Sequence, residues 1–230
     1  MFMSDQITTI TFFQFRSLTS KFWAFSQMQF AHRDLVRVNG QSFYKLMGSG
    51  RGTGFSIWPD FSVYVLLQVW ENEGAAKDFF EGESVIDDYR YKAEKVHTIF
   101  CRSITSHGYW NNHNPFAGNP SLSDSDSPIL VLTRATIKWR HLHKFWKYVP
   151  TSYIPLAANQ GLIYSKGVGE WPMVQMATIS LWKSAEAMKQ FAYKSKEHQQ
   201  AIKMTKDIKW YKEELFARFK PYKTLGPDIF

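Results

Sequence analysis

Val63-Tyr64-Val65-Leu66-Leu67-Gln68-Val69-Trp70, followed by Ala75, Ala76 and Phe79, returns later in the chain as Gln175-Met176-Ala177-Thr178-Ile179-Ser180-Leu181-Trp182, followed by Ala185, Ala187 and Phe191. A β-branched and aromatic run leading into small residues and a Phe at helical spacing reads as a strand entering a helix. On either side the echo continues in the same order. Phe22-Trp23 recurs as Phe145-Trp146, Phe43-Tyr44 with Gly48-Ser49-Gly50 as Ile163-Tyr164 with Gly167-Val168-Gly169, Trp58-Pro59 as Trp171-Pro172, and Phe100-Cys101-Arg102 as Phe216-Ala217-Arg218. Ordered blocks of this kind point to two copies of one supersecondary unit.

Each copy reads as strand, helix, strand, strand, helix, strand. In the first, these are Ile7 to Phe15, Leu18 to Asp34 opened by Ser17, Ser42 to Met47, Phe61 to Trp70, Gly74 to Tyr91 and Lys95 to Thr105. In the second they are Ile129 to Lys138, Arg140 to Tyr148, Leu162 to Lys166, Val174 to Trp182, Ala185 to Lys209 and Glu213 to Lys220. A βαββαβ unit makes a four-stranded antiparallel sheet with both helices on one face, so its bare face needs a partner. The expected fold is therefore α+β: two fused ferredoxin-like βαββαβ repeats packed as a dimeric α+β barrel within one chain. The expected division is residues 1–108, a linker over 109–128 marked by prolines, serines and aspartates without hydrophobic period, and residues 129–230.

Composition narrows the function. A single cysteine, Cys101, excludes an intrachain disulfide and multi-thiolate metal sites, and suits a reducing compartment. No apolar run has the length of a membrane span, and Met1 to Gln6 lacks a basic region followed by an apolar stretch, so a cytoplasmic protein is expected. The net charge of +8 favours anionic partners, and much of it lies between Lys183 and Lys223, interleaved with Trp210, Tyr211 and Phe219. That stretch reads as a solvated face with snorkelling lysines, or as a membrane-surface contact. No nucleic-acid module signature accompanies it, and nucleic acid is not expected as a partner.

Few residues carry candidate chemistry. His198 stands in a helix opened by Ser195 whose face continues through Ala201, Ile202 and Thr205, with Ile86 at the equivalent place in the first copy. Small Ala201 beside an imidazole leaves room for a flat ring, yet surface and core histidines share the same spacing. Gly48, Gly50, Gly52 and Gly54 lie between two strands, so they form a turning loop and not a dinucleotide fingerprint. Such a loop could cover a pocket mouth, with Arg51 reaching towards an anionic group, and Lys45 and Lys166 are strand cations able to meet a carboxylate. Lys45 and Arg51 are the candidate catalytic residues. Cys101 reads as a small strand hydrophobe. The pairs His107/His113 and His141/His143 lack the spacing of a metal set, and no hydrolase or phosphotransferase motif is present.

Taken together, Phe22-Trp23-Ala24-Phe25 with Gln27-Met28, Phe43-Tyr44-Lys45-Leu46 before Gly48-Ser49-Gly50, Phe145-Trp146 before Val149-Pro150, Gly167-Val168-Gly169-Glu170, His198 with Ala201-Ile202, and Glu213 through Phe219 resemble the bacterial spheroidene monooxygenase family of carotenoid ketolases. The resemblance runs from about Ile7 to Phe219. It implies a haem protein that uses dioxygen and an external electron donor such as a ferredoxin to install a ketone on an acyclic carotenoid. Two oxidations at one carbon give a geminal diol that loses water. By the same resemblance His198 is the axial ligand of haem b, with Ala201, Ile202, Trp182 and Phe191 as cofactor contacts. Trp23, Phe43, Trp146 and Trp182 are candidates to line an apolar pocket. A polyene dissolved in a bilayer implies peripheral contact with the inner membrane, for which the basic C-terminal half is suited. Two rival readings use the same fold: a haem-handling protein without oxygenase turnover, and a metal-free carrier of apolar ligands.

Overall fold

The computed structural model describes residues 5–122, 127–148, 156, 159–194 and 203–228. In chain order the elements are β1 (Ile7–Gln14), α1 (Leu18–Phe30), α2 (His32–Leu35), β2 (Gln41–Gly50), β3 (Pro59–Trp70), α3 (Glu73–Gly82), α4 (Ser84–Lys92), β4 (Lys95–Gly108), β5 (Ile129–Ile137), α5 (Leu142–Tyr148), β6 (Leu162–Trp171), β7 (Gln175–Trp182), α6 (Ala185–Lys194) and β8 (Tyr211–Leu225). A further helical run covers 203–208.

The eight strands close into one antiparallel barrel in the order β1-β3-β2-β6-β7-β5-β8-β4. Within it, each half keeps the same internal order, β4-β1-β3-β2 and β8-β5-β7-β6. The two seams differ. β4 and β8 pair along most of their length, from Thr98↔Leu225 to Gly108↔Leu215, whereas β2 and β6 share only Gly48↔Gly169 and Ser49↔Val168. Closure leaves the barrel no free edges.

Local signals explain most boundaries. Ser17 caps α1 by accepting the Ser20 N–H, and Asn72 caps α3 by accepting the Ala75 N–H. The helix expected over Gly74 to Tyr91 is two helices, because Glu83 takes an extended conformation after Gly82 and restarts the chain as α4. At Ala31, which keeps a right-handed helical conformation, a single turn residue separates Leu18 to Asp34 into α1 and α2. The terminal strands β4 and β8 extend beyond the expected Thr105 and Lys220, since each has the other as a pairing partner. Register also places Cys101 (opposite Thr8) in the position held by Phe219 (opposite Leu130), so the sequence match of Cys101 to Ala217 slips by one period of the pleat and keeps the same face.

One packing device occurs in both halves. A Cβ on Gly40 would lie 2.4 Å from the Ala75 Cβ, and a Cβ on Gly161 would lie 2.5 Å from the Ala187 Cβ. In each case the glycine carbonyl accepts the N–H that follows the Trp-ended strand, from Glu71 and Lys183 respectively. Glycine lets the loop before β2 or β6 touch the helix that follows β3 or β7.

The barrel interior is a core drawn from both halves, with Ile10, Phe12, Val65, Leu67, Leu130, Leu132, Ile179, Leu215 and Phe219 among its buried residues. The outer face of the first half is filled by another cluster that includes Phe13, Leu46, Leu66, Trp70, Phe79, Ile86 and Tyr89. Cys101 is buried in the interior, its thiol donating to the Thr8 carbonyl at 3.3 Å, and burial pushes its pKa up.

Candidate functional site

The outer face of the second half is built differently. Its described apolar residues fall into two separate clusters: Phe55, Ile137, Phe145, Met176 and Trp210 at one end, and Ile129, Val131, Leu156, Trp182 and Ala185 at the other. Strand register identifies what lies between them. Phe13, opposite Tyr64 in the first half, corresponds to Ala135, opposite Met176. By the same pairing Leu66 corresponds to Thr178, Gln68 to Ser180, Tyr44 to Ser165 and Leu46 to Gly167. Five large side chains are thus replaced by Ala, Thr, two Ser and Gly. The outer face of the second half is floored by small, buried side chains where the first half has large ones.

Two elements frame this floor. Trp182 is 3% exposed, its indole N–H donates to Ser180 Oγ at 2.9 Å, and its ring lies 5.4 Å from that of Phe191 on α6. The glycine-rich loop between β2 and β3 crosses from the first half onto the second. Ser165 Oγ donates to the Thr53 carbonyl at 2.7 Å, a Cβ on Gly167 would fall 2.1 Å from the Gly54 carbonyl oxygen, and the Phe55 ring sits 6.0 Å from Phe145. The loop therefore forms a wall of the second-half face. Arg51 is exposed at the start of this loop, where its backbone N–H donates to the Trp58 carbonyl.

Ala135, Thr178 and Ser180 leave space on this face that the larger side chains of the first half fill, whereas Ser165 and Gly167 are covered by the Thr53–Gly54 segment. Trp182 and Phe191 stand at one side of that space. His198, Ala201 and Ile202 lie outside the described residues. Among the described residues no three His, Cys, Asp or Glu side chains cluster as a metal site.

Charged groups gather instead inside the barrel and at its mouth. Lys45 points inward, is paired with Glu170, and lies 5.7 Å from the centre of the Trp110 ring. Trp110 donates its indole N–H to the other Glu170 oxygen at 2.7 Å, while Arg134 lies 5.5 Å from the same ring and pairs with Glu213. Glu213 also accepts the backbone N–H groups of Asn111 and Asn112. Burial alone would raise the Glu213 carboxyl, but the Asn112 amide and the Arg134 guanidinium outweigh it and hold the pKa below the ordinary value. Lys166 also points inward and meets Asp60 at 2.7 Å. Burial would raise Asp60 too, yet the bonds from Lys166 and Ser62 lower it. Tyr164 is pushed up to about 12 by burial and then by the Asp60 charge.

At the mouth, a cleft of about 1020 Å³ is lined by Arg134, Thr136, Lys138, Gln175, Tyr211 and Glu213 among others. Arg134 is fully buried, and its Nε and Nη2 have no hydrogen-bond partner among the described residues.

Lys45 and the pair Trp182–Phe191 are therefore on opposite sides of the sheet, and Arg51 joins neither. The connecting segment does more than link the halves: Trp110 is 1% exposed within the barrel core and Phe116 packs on Phe219 at 5.0 Å. Sequence reasoning missed Trp110, Glu170, Arg134, Glu213 and Asp60. A signal existed for Arg134, which is the single charge in the apolar strand Ile129–Ile137. Trp110 and Phe116 were equally visible as large apolar residues in a polar segment.

The closed barrel, the four-strand order in each half and the helices outside define a dimeric α+β barrel contained in one chain. Solved structures with this fold include an aldoxime dehydratase, 11% identical, with a TM-score of 0.66 and coverage of 96% of this chain and 83% of that one. Another is an aldoxime dehydratase in complex with butyraldoxime, at 10% identity and a TM-score of 0.61 over 95% and 80% of the two chains. No protein-family model matches the sequence. Among curated proteins, the spheroidene monooxygenase of Cereibacter sphaeroides is 32% identical over 96% of this chain and 68% of its own length. That of Rhodobacter capsulatus is 31% identical over 96% and 92%, and that of Rubrivivax gelatinosus 28% identical over 90% and 79%. The chain belongs to the spheroidene monooxygenase family.

Proposed function

We propose that this protein is a haem-dependent monooxygenase that oxidises a lipophilic acyclic carotenoid of the spheroidene type to a ketone. The observation that carries the reading is that Ala135, Thr178 and Ser180, in a member of this family, stand at the register positions that Phe13, Leu66 and Gln68 fill in the first half. His198 would hold the iron of haem b, with Ala201 and Ile202 as further contacts and Trp182 and Phe191 as walls. When bound, the haem supplies dioxygen activation, with electrons from an external donor.

The chain's own residues orient and enclose. Trp182 and Phe191 shield one side of the floor from water, and Phe55 and Phe145 shield the other, which favours a polyene over polar molecules. The Thr53–Phe55 segment, bonded to Ser165, keeps the wall over β6 in place. Inside the barrel, the Lys45–Glu170 and Lys166–Asp60 pairs tie β2 to β6 and β6 to β3, and so hold the frame beneath the floor. A cytoplasmic location beside the inner membrane accords with this chemistry. No helix among the described residues is long and apolar enough to cross a membrane.

The test is turnover of spheroidene by protein supplied with haem and an electron-donor system, under air and under argon. Ketone formation that needs dioxygen supports the proposal. Haem loading without any substrate loss under air would leave a haem-handling protein in its place.

A further inference from the structure

We propose that the aromatic patch formed by α1 and the glycine-rich hairpin is the surface that docks on an anionic lipid bilayer. The inference rests on the reading of the protein as an oxygenase of a membrane-dissolved substrate, and it moves the docking face from the basic C-terminal half to the first half. α1 is apolar on both sides. Ala24 faces the core, while Leu18, Phe22 and Phe25, spaced for one helical stripe, are 84%, 75% and 55% exposed. Ile57 and Trp58 on the hairpin are 48% and 65% exposed, and Phe61 joins the two elements through a ring contact with Phe25 at 5.8 Å. Contiguous exposed aromatics of this kind mark an interaction surface.

Charge selects the occupant. From Gln6 to Arg33 the chain has no acidic residue; Arg16 and Arg33 meet Glu94 and Asp34, Lys21 lies on α1 itself, and Arg51 to Trp58 adds only the Arg51 cation. Asp60, the nearest hairpin carboxylate, is engaged by Lys166. A second copy meeting this patch across a two-fold axis would bring like charges together, whereas an anionic bilayer attracts the cations and accepts the aromatic rings at its interface. The position suits the chemistry. The hairpin that exposes Ile57 and Trp58 also lays Thr53 to Phe55 over the floor of the second half, so a docked hairpin would put the wall of the site at the lipid surface.

The test is co-sedimentation of the full chain with phosphatidylcholine vesicles, with and without phosphatidylglycerol. The parent is compared with Phe22→Ser/Phe25→Ser/Trp58→Ser and with a control, Trp139→Ser/Trp171→Ser, which removes an exposed aromatic pair elsewhere. The parent and control bind vesicles containing phosphatidylglycerol, and the triple variant binds at least about tenfold less. Quenching of Trp58 by brominated lipid, taken as the difference between the parent and Trp58→Phe, reports insertion independently of any folding defect. Binding unchanged in the triple variant, loss in the control instead, or a concentration-dependent dimer that only the triple variant abolishes would each overturn the proposal. Failure here combined with dioxygen-dependent turnover of detergent-dispersed carotenoid would remove the docking face and leave the enzymatic reading intact.

Discussion

Gly167 on β6 lies directly beneath Gly54, so close that a Cβ at position 167 would fall 2.1 Å from the Gly54 carbonyl oxygen. A loop of the first half is thereby seated on the sheet of the second, and only glycine permits the approach. Gly167→Val should displace the loop and lower stability by about 2 kcal/mol. Gly48→Ala, where an added Cβ meets nothing within 4 Å, should cost less than about 1 kcal/mol. Limited proteolysis within 51–58 checks the first variant, and equal resistance in Gly167→Val and parent would refute the seating.

Register predicts a second outcome, at Ala135. This residue holds the place that Phe13 fills in the first half. Ala135→Phe should fold with a loss of about 1 to 3 kcal/mol, since Ala135 is buried, and should lose haem binding by titration because the added ring takes up the space that alanine leaves. Full haem stoichiometry in a folded Ala135→Phe protein would place the cofactor elsewhere.

A third expectation concerns the charges inside the barrel. Glu170→Gln leaves Lys45 without its carboxylate beside the Trp110 ring, and should destabilise the fold by about 2 to 3 kcal/mol. Lys45→Met/Glu170→Gln should recover part of that loss, measured as a double-mutant cycle in urea. Additive effects would show that the two residues do not interact.

Acid stability provides a fourth. Asp60 and Glu213 have pKa values lowered in the folded protein, by the Lys166 and Ser62 bonds and by the Asn112 amide and Arg134 respectively, in each case against burial. A lowered folded-state pKa contributes stability above the unfolded value of about 4, and that contribution is lost as pH falls through the folded value. Stability should therefore decline below about pH 4, with a shallower decline in Asp60→Asn/Glu213→Gln. An acid dependence identical in variant and parent would contradict the assignment.

Much of this fold was legible in the repeat of strand, small residues and Phe, because a Trp-ended strand entering a helix has a period that sequence displays. The break at Glu83 was not, since it depends on one backbone conformation within a helical pattern. Lys45 and Lys166 were recognisable as strand cations, but their carboxylates come from Glu170 on β6 and Asp60 on β3, contacts that only closure of the barrel creates. The floor of small side chains was also hidden. Ala135, Ser165, Gly167, Thr178 and Ser180 are ordinary singly, and their small size stands out only when register sets them against Phe13, Tyr44, Leu46, Leu66 and Gln68. Trp110 was overlooked because polar neighbours made its segment read as a linker.

The central claim is that the second half holds haem through His198. Its most direct test is the absorption spectrum, oxidised and dithionite-reduced, of protein produced with ample haem, beside His198→Ala. A Soret band present in the parent and lost or strongly shifted in the variant is the predicted result. A colourless parent, or a Soret band unchanged by His198→Ala, would contradict it.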